Sequence, residues 1–265
     1  VNGLRAILSK NLPEVISQFS PDMVCLQEIK LSADDLAPLL PHFPDYVVHA
    51  SHAERPGYSG VALLVHRSVP WADGLTVRTT LEGEPDSFSR EGRILVAETP
   101  LGDLYNLYFP SGTSGPERQD FKYQFMKALE AHWTTCSKAA RSSMIVCGDF
   151  NICHTRHDIH HPDEATRRQL SGFLPEERAW MDRIMALGLH DTYRIARPDE
   201  RGVYSWWTYR AGARKKNLGW RIDYQLVGMD HVPRVEAAAL HPSVQGSDHC
   251  PTSLLLSPPV PRGRC

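Results

Sequence analysis

Short apolar segments that stop on a polar side chain recur along the whole chain, and helical stretches separate them without any repeat period. Met23 to Gln27 reads as a buried strand ending in Glu28. Further strands are predicted near 45–50, 60–66, 75–80, 93–98 and 103–109, together forming one sheet. In the second half, segments 203–209, 220–227, 234–240 and 252–256 alternate or run apolar and read as strands as well. The helices show their own periodicity. Leu12, Val15, Ile16 and Phe19 share one face, and Ser32 is placed to cap a second helix that turns Leu36, Leu39 and Leu40 inward. Ser114-Gly115-Pro116-Glu117 has capping-box spacing and opens a longer helix striped by Phe121, Phe125 and Leu129. A helix over about 175–187 starts at Pro175, carries Trp180, Ile184 and Leu187, and ends at Gly188. Strands in both halves with helices between them predict an α/β fold, with sheets packed together and covered outside by helices.

A chain of 265 residues with 42% hydrophobic content can bury a substantial core, which favours one large domain over two small ones. That domain is expected to span 1–256, with the Pro-rich segment from Ser257 to Cys265 disordered. No apolar run approaches the roughly 18 residues of a membrane span and no signal peptide is visible, although the sequence starts at Val1 without Met. No membrane association is therefore expected. Six cysteines stand at 25, 136, 147, 153, 250 and 265 without CxxC spacing. This suits reduced thiols in an intracellular protein, cytoplasmic in a bacterium or nuclear in a eukaryote, and argues against a zinc site. The formal net charge of −2 provides no global attraction for a polyanion, so nucleic acid would have to meet a local basic patch.

The segment Val146-Cys147-Gly148-Asp149-Phe150-Asn151 carries the most chemistry: an apolar strand that ends on a carboxylate and a carboxamide two positions apart. Strand side chains alternate, so continued extension would point Asp149 and Asn151 the same way. Such a pair can hold a water, a phosphate oxygen or part of a metal shell. Gly-Asp-x-Asn is equally a turn, in which Asp and Asn bond their own backbone. Other strand ends add Glu28, Tyr108 after Leu104-Tyr105-Asn106-Leu107, Asp223 within Trp220-Arg221-Ile222-Asp223-Tyr224, and Ser247-Asp248-His249. Phosphodiester hydrolysis needs a hard cation on carboxylate oxygens, an aligned water, and donors for the charge that builds on phosphorus. Taken singly, Glu28 also reads as a solvated strand end, Tyr108 as a core-edge aromatic and His249 as a surface histidine. Asp223 is harder to dismiss, because a carboxylate in an alternating apolar strand is costly unless paired.

Several stretches, in order across nearly the whole chain, resemble the exonuclease III family of Mg²⁺-dependent DNA repair nucleases, the class II abasic-site endonucleases. They are Val1-Asn2-Gly3-Leu4-Arg5-Ala6, Cys25-Leu26-Gln27-Glu28, Gly57-Tyr58-Ser59-Gly60-Val61, Glu91-Gly92-Arg93 and Tyr108-Phe109-Pro110. Gly148-Asp149-Phe150-Asn151, Gly219-Trp220-Arg221-Ile222-Asp223-Tyr224 and Ser247-Asp248-His249-Cys250-Pro251 complete the set. The resemblance implies a four-layer α/β sandwich of two packed mixed β-sheets flanked by helices. It implies Glu28 as the main Mg²⁺ carboxylate, with Mn²⁺ as a substitute ion and Asn2 and Asp248 in support. By the same resemblance Asp149 orients or deprotonates the attacking water, and Asn151 holds that water or a phosphate oxygen. His249, kept cationic by Asp223, stabilises the developing charge. Tyr108 either donates to the phosphate or acts as a phenolate. Tyr58 and Arg93 resemble positions that touch the DNA backbone; a salt bridge from Arg93 to Glu91 or Glu98 is the alternative.

Trp206, Trp220 and Ile222 match the family's pocket for a flipped sugar lacking its base, with plain core packing as the alternative. Between them Arg210-Ala211-Gly212-Ala213-Arg214-Lys215-Lys216-Asn217 is the densest basic stretch, expected to grip phosphates, and Arg210 is the candidate to insert beside the flipped site. The sequence departs from the family in places. The family has an Asn two residues before Asn2. Members that incise abasic sites often carry a Gly-Asn-x-Lys-Asn-like loop after the central strand, where residues 159–170 here include His160, His161, Arg167 and Arg168. The two arginines remain available to phosphates, and the two histidines reshape the site or do nothing. Ser111 to Pro116 is expected to be a mobile, DNA-facing loop. The expected activity is cleavage 5′ to abasic sites in double-stranded DNA by a monomer, with 3′-5′ exonuclease and 3′-phosphatase trimming of blocked 3′ ends. The rivals are an inositol or sphingolipid phosphatase on the same sandwich and a catalytically silent DNA-binding module.

Overall fold

The protein is described by a computed structural model covering residues 1–81 and 83–258. In chain order its first elements are α1 (Leu4–Leu8), α2 (Leu12–Phe19), β1 (Met23–Gln27), α3 (Ala33–Leu36), β2 (Tyr46–Ser51) and β3 (Val61–His66). Then come β4 (Thr76–Arg78), α4 (Asp86–Ser89), β5 (Ile94–Thr99), β6 (Gly102–Tyr108), α5 (Pro116–Thr135), α6 (Lys138–Ser142) and β7 (Ile145–Asp149). The last are α7 (Pro162–Arg167), α8 (Pro175–Ala186), β8 (Leu189–Asp191), α9 (Thr192–Ala196), β9 (Asp223–Gly228), β10 (Val235–Leu240) and β11 (Thr252–Leu256).

The strands form a six-stranded ladder in the order β4-β5-β6-β7-β9-β8, a three-stranded ladder β1-β3-β2 and a β10-β11 pair. Within the six, β6 and β7 run parallel while the other neighbours are antiparallel. The core shows how they stack. Val61, Leu63 and Val65 of β3 meet Leu95, Leu104, Ile145 and Val227 of the six-stranded sheet, with Leu254 and Leu256 of β11 packed on the same cluster. On the outer side of the six, Val96, Leu107, Val146 and Leu226 pack on Phe125, Leu129 and Trp133 of α5 and Trp180 and Ile184 of α8. On the other outer side, Leu26 and Leu64 pack on Leu4, Ile7 and Leu12. Two β-layers therefore face each other between two helical layers, the four-layer sandwich that the family resemblance implied. No described helix is long and apolar enough to cross a membrane.

Four expectations need correction. The strands between 23 and 109 divide between the two layers, because β3 is buried on both faces and needs a sheet on one side and helices on the other. Residues 203–209 and 220–222 form isolated bridges rather than strands, Trp206 pairing with Trp220 and with His249. α3 lasts four residues and passes into a 3₁₀ turn over 37–42, since Pro38 and Pro41 lack the N–H that a continued helix requires; Leu40 is consequently 42% exposed. Gly115, not Ser114, caps α5, with Pro116 in its first turn. The Ser257 N–H donates to the Arg234 carbonyl and the Ser257 carbonyl accepts from the Arg234 guanidinium, so the Pro-rich segment is anchored at its first residue. Residues 259–265 lie outside the described residues.

A buried ionic network ties the segments around β9. Arg221 donates through Nε to Asp158 Oδ1 at 2.7 Å and through Nη2 to Asp191 Oδ2 at 2.7 Å, while Arg194 also donates to Asp158. Burial opposes ionisation of Asp158, but Arg221 and Arg194 overcome it and hold its carboxyl well below the usual carboxylate range. Its contribution to stability is complete above the ordinary value of 3.8 and declines as pH falls below it. Asp158→Ala removes one of the two carboxylates on the buried Arg221, leaving Asp191 alone to balance it, and is expected to cost about 3–5 kcal/mol. Urea unfolding at neutral pH measures this, and a midpoint equal to wild type would contradict it.

Candidate active site

Strand pairing assembles the site. In the parallel β6–β7 pair Tyr108 lies opposite Asp149, and in the antiparallel β7–β9 pair Asp149 lies opposite Asp223, so three polar residues form one row across adjacent strands. Gly148 allows the strands to approach: at φ 147°, a Cβ there would stand 1.9 Å from the Leu107 carbonyl oxygen. The extension that would align Asn151 with Asp149 ends at the strand terminus, since Asn151 adopts a left-handed φ of 52°. The turn brings them together instead. The Asn151 N–H donates to Asp149 Oδ1 at 2.8 Å, and its carboxamide Nδ2 donates to the Phe109 carbonyl at 3.0 Å.

His249 closes the row. Its Nδ1 is 2.9 Å from Asp223 Oδ2, and its Nε2 is 3.8 Å from Asp149 Oδ2. Burial alone would lower the imidazole, but the Asp223 charge and hydrogen bond, with Asp149 adding, raise it to about 9. Asp149 is 4% exposed; burial, with Asp223 and Glu28 adding and His249 opposing, raises its carboxyl to about 7. Burial, with Glu28 and Asp149 nearby, also pushes the Tyr108 phenol well above its ordinary value. The site thus holds a cationic imidazole, a protonated phenol and a carboxyl poised near neutrality.

A second group of oxygen donors sits on the opposing layer. Glu28 follows β1, Lys30 Nζ lies 3.2 Å from Glu28 Oε1 and donates to Asn2 Oδ1 at 2.6 Å, and Asn2 Nδ2 donates to Asp248 Oδ1 at 3.3 Å. Trp206 Nε1 donates to the other Asp248 oxygen at 3.1 Å. Asn2, Glu28, Lys30 and Asn151 all have left-handed φ, at 54°, 58°, 55° and 52°, a concentration of backbone strain around the mouth of the sandwich. Carboxylate and carboxamide oxygens already resting on an ammonium suit a hard divalent cation. Asp149, Asp223 and His249 also place ligating atoms within 4.8 Å of one another. There His249 Nδ1 is engaged with Asp223 while its Nε2 faces Asp149, so this cluster too offers donors to a divalent cation.

Arg93 is corrected. Its side chain is 2% exposed, with Nε on Glu91 at 2.6 Å, Nη2 on the Tyr58 hydroxyl at 3.0 Å and Nη1 on the Tyr108 carbonyl at 3.0 Å. It braces both tyrosines from inside, pairing with Glu91, while Glu98 pairs with Arg78. Arg118, which the sequence reading did not single out, donates to Glu91 and to the Tyr58 hydroxyl, and with Arg55, Arg90 and Glu54 it borders a cleft of about 330 Å³.

Beside His249, Trp206 and Trp220 meet edge to face with centroids 6.1 Å apart, over Ile222, Ile159 and Phe173. Ile222 is buried in that cluster, and the two tryptophans are only partly covered. The Ser205 hydroxyl, also not singled out from sequence, accepts the N–H groups of Ile222 and Asp223 at 3.1 Å each. In the basic stretch, Arg214 turns inward to the carbonyls of Pro242, Val244 and Ser247 and is thereby structural. Arg210, Lys215 and Lys216 are exposed beside Tyr209, which is 66% exposed. Within 159–170, which folds partly into α7, Arg168 pairs with Glu164, Arg167 is exposed, and His160 Nδ1 is 3.1 Å from the Gly219 carbonyl with the His161 ring 4.3 Å from its own. Ser111 and Thr113 bond each other at 2.9 Å.

Residues 1–249 match the model of the Endonuclease/Exonuclease/phosphatase family. An exodeoxyribonuclease of Bacillus subtilis is 34% identical over 259 residues, spanning 97% of both chains. An AP endonuclease from Archaeoglobus fulgidus superposes with a TM-score of 0.82 at 26% identity, over 97% of this chain and 96% of its own. A 3′-5′ exonuclease from Neisseria meningitidis does so with a TM-score of 0.83 at 25% identity, over the same shares. With the fold, the matched family and these relatives in agreement, this chain belongs to the endonuclease/exonuclease/phosphatase family, in its exonuclease III-like, AP-endonuclease branch.

Proposed function

We propose that this chain is a Mg²⁺-dependent DNA repair endonuclease that hydrolyses the phosphodiester 5′ to abasic sites in double-stranded DNA and trims blocked 3′ ends. The row Tyr108–Asp149–Asp223 closed by His249 carries this reading. In it, Asp149 accepts the proton of the attacking water, and the Asn151 carboxamide orients that water or a phosphate oxygen. His249, charged through Asp223, and the Tyr108 phenol donate to oxygens that gain charge as the bond breaks. A raised phenol favours the donor role for Tyr108 over the phenolate role. Glu28, Asn2 and Asp248 hold the cation, which when bound neutralises phosphate charge. Trp206 and Trp220, with Ile222 beneath, wall a sugar that lacks its base, a pocket that an inositol or lipid phosphate does not call for. Tyr58 and Arg118 face the backbone on one side and Arg210, Lys215 and Lys216 on the other, which reconciles DNA binding with a net charge of −2.

Matched oligonucleotides bearing an abasic site, a 3′-phosphate or an intact 3′ end, incubated with Mg²⁺ and then with chelator, test the proposal. The expected result is a nick 5′ to the abasic site that leaves a 3′-hydroxyl, slower 3′ trimming, and no product in chelator. No cleavage of any of the three at any Mg²⁺ or Mn²⁺ concentration would overturn it.

Two variants separate the roles. Asp223→Ala is expected to lower kcat by about 10²–10³-fold, the scale of losing one charge-stabilising group, with duplex affinity within a factor of about two. Glu28→Gln is expected to raise the half-saturating Mg²⁺ concentration by at least about 10–100-fold, since even an outer-sphere partner is worth that much. A kinetic metal titration reads both, and a wild-type rate or a wild-type metal requirement would remove the corresponding assignment.

A further inference from the structure

Lys122 and Glu177 form an ion pair with both side chains fully buried, at 2.5 Å, in the helical layer behind the site. Each charge interrupts an apolar stripe: Lys122 precedes Phe125, Met126, Leu129 and Trp133 on α5, and Glu177 precedes Trp180, Met181 and Ile184 on α8. Buried ion pairs are weak evidence for stability, because desolvation cancels much of the attraction. This pair has additional connections. Lys122 Nζ also donates to the backbone carbonyl of Asn151 at 2.8 Å. Glu177 Oε2 accepts the Gly172 N–H at 2.7 Å and the Leu174 N–H at 2.9 Å. The Gly172 carbonyl in turn accepts the Cys153 N–H at 2.7 Å.

Asn151 and Gly172 are thereby held against each other. Both are left-handed, and a Cβ on Gly172 would stand 3.0 Å from the Asn151 carbonyl oxygen and 2.8 Å from the Trp220 ring. A single ammonium therefore anchors the turn that presents the Asn151 carboxamide, and its carboxylate anchors the loop that backs Trp220.

We infer that Lys122, buffered by Glu177, is a positioning residue for the hydrolysis: it holds the left-handed turn at Asn151, and with it the carboxamide beside Asp149, in the productive orientation. This rests on the reading of Asn151 given under Proposed function. Misplacement of a reacting group by about 1 Å costs about 10²-fold in rate, so the anchor acts on turnover rather than on DNA affinity.

The test uses the full chain and abasic duplex. Lys122→Met combined with Glu177→Gln removes the Asn151 bond without leaving an unpaired buried charge. Expected are a fall in kcat of about 10–100-fold with KM within a factor of about two, and faster hydrogen exchange at the Cys153 and Gly172 amides. When the same pair of changes is added to Asn151→Ala, little further loss is expected, because both act through one group. Wild-type kcat in the folded double variant, or full multiplication of the two losses, would overturn the inference. If the double variant does not fold, Lys122→Gln combined with Glu177→Gln serves, since it too leaves no buried charge: a fall in kcat at constant KM supports the inference, and a wild-type kcat or a rise in KM at constant kcat overturns it. Failure of wild-type protein to cut the duplex would instead refute the proposed function, while the exchange measurement would still report on the anchor.

Discussion

The site depends on strand register. Tyr108, Asp149 and Asp223 share one row only because β6 runs parallel to β7, β9 runs antiparallel to it, and both pairings end at the same residue of β7. A slip of one residue would exchange the faces, turning the Asp223 carboxylate of β9 or the Tyr108 phenol of β6 away from Asp149. Gly148 protects that register, since any side chain there would collide with the Leu107 carbonyl. Electrostatics then follow from placement. Burial, with the Asp223 charge beside it, raises the proton affinity of Asp149, and the His249 imidazole, bonded to Asp223 and facing Asp149, is the charge that makes the arrangement tolerable.

The two layers of the sandwich contribute different chemistry to one mouth. The six-stranded sheet supplies proton-handling groups, and the opposing layer supplies oxygen donors through Glu28 at the end of β1 and Asn2 before α1. Their alignment is held below the mouth by Asn106, fully buried on β6, which donates to the carbonyls of Leu26 and Ala62 and accepts from Gln27. This polar bridge between apolar sheets fixes how they face each other, where dispersion contacts alone would allow sliding. The left-handed residues at the rim are affordable because backbone bonds of this kind surround them: Gly3 and Leu4 donate to the carbonyls of Glu28 and Ile29, and Lys30 donates to Ser59.

Much of this was readable in the sequence, for identifiable reasons. β1, β7 and α8 declare themselves by apolar period and terminal punctuation, which are local properties. The division of strands between layers is not local, because β3 and β5 are equally apolar and only their partners distinguish them. At Asn151 the turn reading holds and continued extension does not: the left-handed residue that Asp-x-Asn favours brings it to Asp149. Of the two readings of Arg93, the pairing with Glu91 holds, and its burial, which depends on Tyr58 and Tyr108 elsewhere in the chain, is what the resemblance could not supply. Lys122 and Glu177 were legible in principle, as two opposite charges each set within an apolar stripe, but nothing in the chain's linear order says that they meet.

The segment that departs most from the family, residues 159–170, folds partly into α7 and leads directly into the residues that contact both halves of the site. Ile159 bridges to Trp220, Arg221 N–H donates to the Asp158 carbonyl, and Gly172 fits between Trp220 and Asn151. Changes along this segment therefore act on the apolar wall and the turn packed against it, while the row of Tyr108, Asp149 and Asp223 stays fixed by its strands. Under the proposed function, that separation assigns the reacting groups to the sheet and the apolar wall that meets the sugar to the segment packed against 159–170.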